Sequence, residues 1–160
     1  MARRMPGRRD LTYATLDGVM PDVDRLLLGH AAAGRWSLGQ ICNHLSGALI
    51  GSTEGFGVLL PWPLRATIGR AVRWQLLRTG RMGEGVPLPE KFAPKPGLDE
   101  RAEAESLRAS LHFFQQRPDP PVVHPFLGRL SRDEWDLFHR IHCAHHLSFV
   151  TPEPATVSHP

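Results

Sequence analysis

Apolar residues recur at three- and four-residue intervals in five separate blocks of the chain. Nowhere do they alternate with polar residues over the length of a strand. The first block, Leu16, Met20, Val23, Leu26 and Leu27, predicts a helix from a Thr15 N-cap to Gly29, kinked or divided by Pro21. Ala31 to Gly34 then form a connection. The second block opens with Ser37-Leu38-Gly39-Gln40, a capping box with Trp36 at the staple position before it. Leu38, Ile41, Leu45, Ala48 and Leu49 make its apolar face, and Gly51, Gly55 and Gly57 mark its end. The third runs from Pro63, suited to a first turn, to Thr79, with Leu64, Ile68, Val72, Gln75 and Leu76 along one side. The fourth spans Asp99 to Gln116 and carries Ala104, Leu107, Leu111 and Phe114 in the spacing of a packing seam. The fifth opens with a second capping box, Ser131-Arg132-Asp133-Glu134, and is expected to run to Val150 before Thr151-Pro152-Glu153-Pro154 stops it.

Five helical segments without strand alternation predict an all-α fold, a helical bundle. The breakers support this, because the fifteen prolines and fifteen glycines concentrate between the helices. Residues 80–97 hold four of each and no periodic pattern. A connection of that length is either a lid or binding loop, or a plain surface crossover. His124-Pro125-Phe126-Leu127-Gly128 reads as a rigid approach to the last helix. At 160 residues the chain suits one domain, expected over residues 11–151. Residues 1–10 are expected to be a disordered basic tail, and 152–160 a C-terminal tail.

Charge changes this picture little. Nineteen basic and sixteen acidic residues give a net charge of +3, and four of the arginines lie in the first nine residues. The high isoelectric point is therefore weak support for nucleic-acid binding. The arginines of the third helix, Arg65, Arg70, Arg73 and Arg78, read as a solvated face rather than a DNA or RNA strip. No apolar run approaches the ~20 residues of a membrane span, so no membrane partner is expected. The arginine-bearing start lacks the apolar core of a secretory signal, and a cytoplasmic location is expected.

The chemistry sits in the histidines. Four of nine, His139, His142, His145 and His146, fall within eight residues of the last helix. His142 and His146 are one turn apart, so one ion can reach both rings. His142 belongs to both apolar stripes that can be drawn on this helix, so it is expected to face inward. On the second helix His44 stands between Ile41 and Leu45, where a plain core would carry an aliphatic residue. Neutral imidazole is a ligand for zinc, nickel, copper and iron. Three imidazoles leave a coordination position open, as in a reactive site rather than a closed structural one. The competing reading is a set of core histidines satisfied by each other and by water. A His-Glu-x-x-His protease is excluded, since the position after the first histidine is Cys143 and offers no carboxylate base. Cys42 and Cys143 are each a ligand, a redox partner or a small buried apolar residue. The last is the commonest state of a free cysteine.

Trp36-Ser37-Leu38-Gly39-Gln40-Ile41-Cys42-Asn43-His44-Leu45 resembles the second-helix motif of the DinB-like superfamily, which includes YfiT-like proteins and thiol-dependent transferases. His142-Cys143-Ala144-His145-His146-Leu147-Ser148-Phe149 resembles its last-helix motif. With His124 to Gly128, the chain is similar to a branch of that superfamily known only as a domain of unknown function. The likeness covers about residues 11–151. It implies a DinB-like up-and-down four-helix bundle with an extra helix and a long crossover, often a homodimer. It also implies a divalent ion, typically nickel or zinc, on three histidines, which map onto His44, His142 and His146. Activities in the superfamily include transfers using low-molecular-weight thiols such as bacillithiol or mycothiol, and isomerisation of small acids. The chain departs from the pattern at Cys143, where many relatives carry Glu, and at Leu147-Ser148-Phe149, where Arg-Gly-Gln is common.

The expectation is a metal-dependent enzyme, a thiol transferase acting on a small molecule. His139, His145, His124 and Cys143 are the candidates for orienting ligands or carrying protons. The alternative is a non-catalytic stress or interaction module with a vestigial site. A nucleic-acid partner is the least favoured.

Overall fold

Each helix begins where its sequence supplies an oxygen for the first free amides. The computed structural model describes residues 7–83, 93–118 and 122–153. A short 3-10 turn, Leu16–Gly18, leads into α1 (Val19–Leu26). Pro21 lies in the first turn of α1, where its missing N–H leaves no intrahelical bond unmade. The expected division is therefore the 3-10 junction upstream of it. Thr15 is extended, as a cap should be, but its side chain caps nothing.

In α2 (Leu38–Glu54) the Ser37 side chain accepts the Gln40 N–H and the Gln40 side chain accepts the Ser37 N–H. In α6 (Arg132–Leu147) Ser131 and Glu134 make the same reciprocal pair. Between them, Asp99 caps α5 (Glu100–Gln115) by accepting from the Ala102 N–H. Removing a cap leaves orphan amides at a cost of about 1 kcal/mol. Ser131→Ala is thus expected to lower the melting temperature by about 2–4 °C in a thermal scan. An unchanged midpoint would show that Glu134 alone holds this helix start.

The third helical segment is composite. α3 (Trp62–Leu64) passes through a π-helical turn (Arg65–Gly69) into α4 (Arg70–Thr79), which ends at Gly80 in the left-handed conformation at φ 64°. Gly69 is required here. A Cβ on it would sit 2.1 Å from the Phe126 carbonyl oxygen, so the helix backbone rests directly on the His124–Gly128 turn. The anticipated inward face is corrected. Leu76 is buried, but Leu64, Ile68 and Val72 are exposed. The wide π turn adds a residue to one coil, so positions 64 and 68 no longer align with 76, while α4 itself buries Leu76 and leaves Val72, one turn earlier, at the surface. Arg73 is held by the Glu134 carboxylate and donates to the Arg129 carbonyl.

The last helix also differs from expectation. It ends at Leu147, and Val150 opens a three-residue strand. β1 (His30–Ala32) and β2 (Val150–Pro152) pair antiparallel, with His30 opposite Pro152 and Ala32 opposite Val150. Three residues are too few to show an alternating pattern in sequence. Of the expected tail over residues 1–10, positions 1–6 lie outside the described residues, and Arg8 and Arg9 bond to the fold. The Arg9 amide donates to the Ser148 carbonyl and its guanidinium forks onto Asp22, which also accepts from Tyr13.

The result is the expected all-α fold. α2 packs most extensively on α5, and both bury apolar residues with α1 and α6. Leu38, Ile41, Leu45 and Leu49 meet a core that includes Leu107, Phe114, Trp135 and Val23. No helix among the described residues is long and apolar enough to cross a membrane.

Candidate metal centre

The position of His44 follows from its helix. It lies three residues beyond buried Ile41 and one before buried Leu45, at the edge of the stripe that α2 turns inward. His142 and His146 occupy consecutive turns of α6, whose inward stripe also holds Trp135 and Phe138. Packing of α6 against α2 then brings the three rings together.

Their ligating nitrogens all lie within 4.8 Å of one another. The His44 and His142 Nε2 atoms are 3.1 Å apart. Two nitrogens bound at about 2.0–2.1 Å to one ion would be separated by roughly 2.9 Å at a right angle and roughly 3.3 Å at a tetrahedral one. The observed spacing falls between. His146 completes a triangle of rings, with centroids 4.6 Å from His44 and 4.7 Å from His142.

Burial sets the charge state of the two rings on α6. Desolvation holds the His142 imidazole well below its usual pKa, and the neighbouring rings of His146 and His44 lower it further. His146 is lowered in the same way, by burial first and then by His44, His145 and the Arg8 guanidinium. Both rings are therefore neutral near pH 7 and present lone pairs rather than charge. The buried His142 Nδ1 has no hydrogen-bond partner among the described residues, an uncommon state for a polar atom in a core. Three convergent imidazoles, two of them held neutral by burial and one incompletely satisfied by the described protein contacts, fit a borderline divalent ion such as zinc or nickel.

Trp36 walls the centre. Its ring stacks on His146, with centroids 5.3 Å apart and planes 11° from parallel, and leans on His44 at 5.1 Å. Arg8 approaches from the N-terminal segment. It donates to Ser148 Oγ at 2.7 Å and lies 3.2 Å from His145 Nδ1, with its guanidinium over the Phe149 ring. Neither residue was a site candidate in the sequence. Trp36 had a signal, its place in the Trp-Ser-x-Gly-Gln start, whereas Arg8 was assigned to the tail.

The remaining candidates go to different places. His145 touches the centre through its ring contact with His146 at 4.9 Å. His139 instead meets Ser52 Oγ at 3.0 Å and lies between Trp135 and Phe114. His124 accepts the Phe126 and Leu127 amides on Nδ1, which fixes its tautomer, and packs on Phe56, Trp135 and Phe138. It reaches the centre only through Phe138, which contacts His142. Desolvation lowers His124 to about 4 and His139 to about 3, the latter helped by His124 and Arg132.

Cys143 and Cys42 are buried free thiols, and the metal-compatible group contains neither. Desolvation pushes both up to about 12, aided at Cys42 by Glu100 and Glu103 and at Cys143 by Cys42. Both stay protonated, the state of small apolar core residues. Of the 80–97 connection, residues 84–92 lie outside the described part. Its far end returns to the start of α2, where Gln40 Nε2 donates to the Lys95 carbonyl.

Comparison with curated proteins and with solved structures finds no match. Residues 5–153 match the family described as a protein of unknown function (DUF1569), and the chain, a helical domain with a convergent three-histidine cluster, belongs to that family.

Proposed function

We propose that this protein is a divalent-metal-dependent enzyme of the DinB-like kind that acts on a small molecule. The observation that carries the reading is the convergence of the His44, His142 and His146 rings from two helices, with His142 and His146 held neutral by burial. Nickel or zinc is the proposed ion. Held there, it would supply a Lewis acid that lowers the pKa of a water or thiol toward neutrality. Three protein ligands leave room for such a group, and a low-molecular-weight thiol is the proposed cosubstrate, transferred to an electrophilic small molecule.

The chain's own residues have distinct parts in this scheme. Trp36 covers two of the three rings and keeps water from that side. His145, between His146 and Arg8, orients the outer edge of the centre. Arg8 brings a fixed positive charge to the rim, suited to an anionic substrate or to the carboxylate of a peptide-like thiol. His139 and His124 brace the aromatic core beneath and are not assigned a chemical role. The buried free cysteines accord with a cytoplasmic setting.

The 3.1 Å contact between His44 and His142 favours one second reading, in which a single hydrogen bond satisfies the pair and the bundle is non-catalytic. Metal content distinguishes the two. Mass spectrometry of untagged protein, reconstituted near pH 8, is expected to find one nickel or zinc per chain, lost in His142→Ala and in His146→Ala. Wild-type protein that takes up no metal would overturn the enzyme reading.

A further inference from the structure

The composite third helix turns most of its apolar side chains to solvent. Trp62 is 70% exposed and Trp74 62% exposed, and with them Leu59, Leu60, Leu64 and Ile68 project outward. The same segment is strongly basic. From Gly55 to Gly83 there is no aspartate or glutamate, and there are five arginines, Arg65, Arg70, Arg73, Arg78 and Arg81. Three of them, Arg70, Arg73 and Arg78, line an open basin with Trp74 and Leu77, closed on one side by Glu134. Arg78 lies over the Trp74 ring at 4.8 Å.

From this pairing of exposed tryptophans with an all-basic segment, we infer that residues 58–81 form a docking surface for an anionic lipid bilayer. It lies in the headgroup region, independently of the chemistry at the histidines. The expectation of no membrane partner rested on the absence of a spanning helix, and surface binding needs none. Helices that lie in the bilayer interface combine tryptophan and leucine with a basic face. Tryptophan suits that depth because one end of its ring is apolar and the other donates a hydrogen bond. At the basin, Arg73 is already paired with Glu134, and Arg70 and Arg78 are placed to receive a headgroup phosphate, on which guanidinium forks bidentately.

Charge selects this occupant over a second copy of the chain. A two-fold pairing through this face would set the arginines against their own images, with Glu134 the one acidic residue lining the basin among the described residues. An anionic surface instead sets the arginines against charges of opposite sign, at about a threefold to tenfold gain in partitioning for each one that Glu134 does not already neutralise.

The test is co-sedimentation of the full chain with vesicles of phosphatidylcholine, with and without 30% phosphatidylserine (roughly the charge density of an anionic leaflet), in 0.1 M salt. Partitioning is expected to be at least about a hundredfold stronger on the anionic vesicles and to weaken at 0.5 M salt. Replacing Arg70 and Arg78 together by Gln is expected to lower it about thirtyfold. Trp62→Ser with Trp74→Ser is expected to lower it further, with circular dichroism unchanged because both rings are exposed. In wild-type protein, brominated lipid should quench these two tryptophans and spare buried Trp135. Failure to bind anionic vesicles overturns the proposal, as does binding that ignores the tryptophan substitutions. A lipid-free dimer that shields both tryptophans overturns it in favour of a second copy. Retention on DNA without vesicle binding overturns it in favour of nucleic acid.

Discussion

Between pH 7.5 and pH 5 the fold is expected to lose about 4 kcal/mol of stability, from His124 and His139 alone. In the unfolded chain each imidazole takes up a proton near its ordinary value of about 6.5. In the folded chain His124 does so only at about 4 and His139 only at about 3. Depressed folded values give the sign. The contribution is fully present above pH 6.5 and is lost as the pH falls toward the folded values. Within that window each ring costs about 1.4 kcal/mol per pH unit, hence about 2 kcal/mol apiece by pH 5. His142 and His146 are displaced in the same direction and add to the loss. Urea unfolding at pH 7.5, 6 and 5 measures it. His139→Leu, which keeps the volume of a ring packed between Trp135 and Phe114, should reduce the slope by about one proton's worth. A stability that stays flat to pH 5 would mean that these rings reach water in the folded protein.

The second large effect is stabilisation by the ion. A ligand that binds only the folded chain at a hundredfold excess over its Kd adds about 2.7 kcal/mol. For a domain of this length that raises the melting temperature by about 5–10 °C. The gain should vanish in His44→Ala, His142→Ala and His146→Ala. It should survive largely intact in His145→Ala, whose ring touches the centre from outside the ligand triangle. Differential scanning fluorimetry with nickel, zinc and a chelator separates these cases. A shift that persists in both His44→Ala and His142→Ala would place the metal elsewhere.

What could be read from the sequence was whatever is decided within one or two turns of chain. Both capping boxes and the Ala104–Phe114 seam are local patterns, and each is present in the fold. The histidine cluster was legible for a mixed reason. His142 and His146 share a helix face by spacing alone, whereas His44 stood out as an imidazole at the edge of an apolar stripe. Long-range features were not legible. Nothing near Arg8 in sequence points to His145, 137 positions away, and nothing near His30 points to Pro152. At Leu64 and Ile68 the face of the third helix was misread because a π turn, which no residue pattern announces, breaks the 3.6-residue phase at Arg65–Gly69.

The short strand pair has a dynamic consequence. The last turn of a helix ordinarily frays, exchanging its amide hydrogens through small local openings. In α6 that turn carries His146, yet the chain just beyond it is fastened by two segments, residues 30–33 and Arg9. β1 pairs with β2, the Ala33 amide bonds the Phe149 carbonyl, and the Arg9 amide bonds the Ser148 carbonyl. Opening the end of α6 therefore means releasing all of them together, and deuterium should enter its last turn nearly as slowly as it enters the core. A ligand histidine in that turn is held as firmly as one in mid-helix. An ion at the centre would consequently leave on the timescale of a subglobal unfolding event, rather than that of a fraying end.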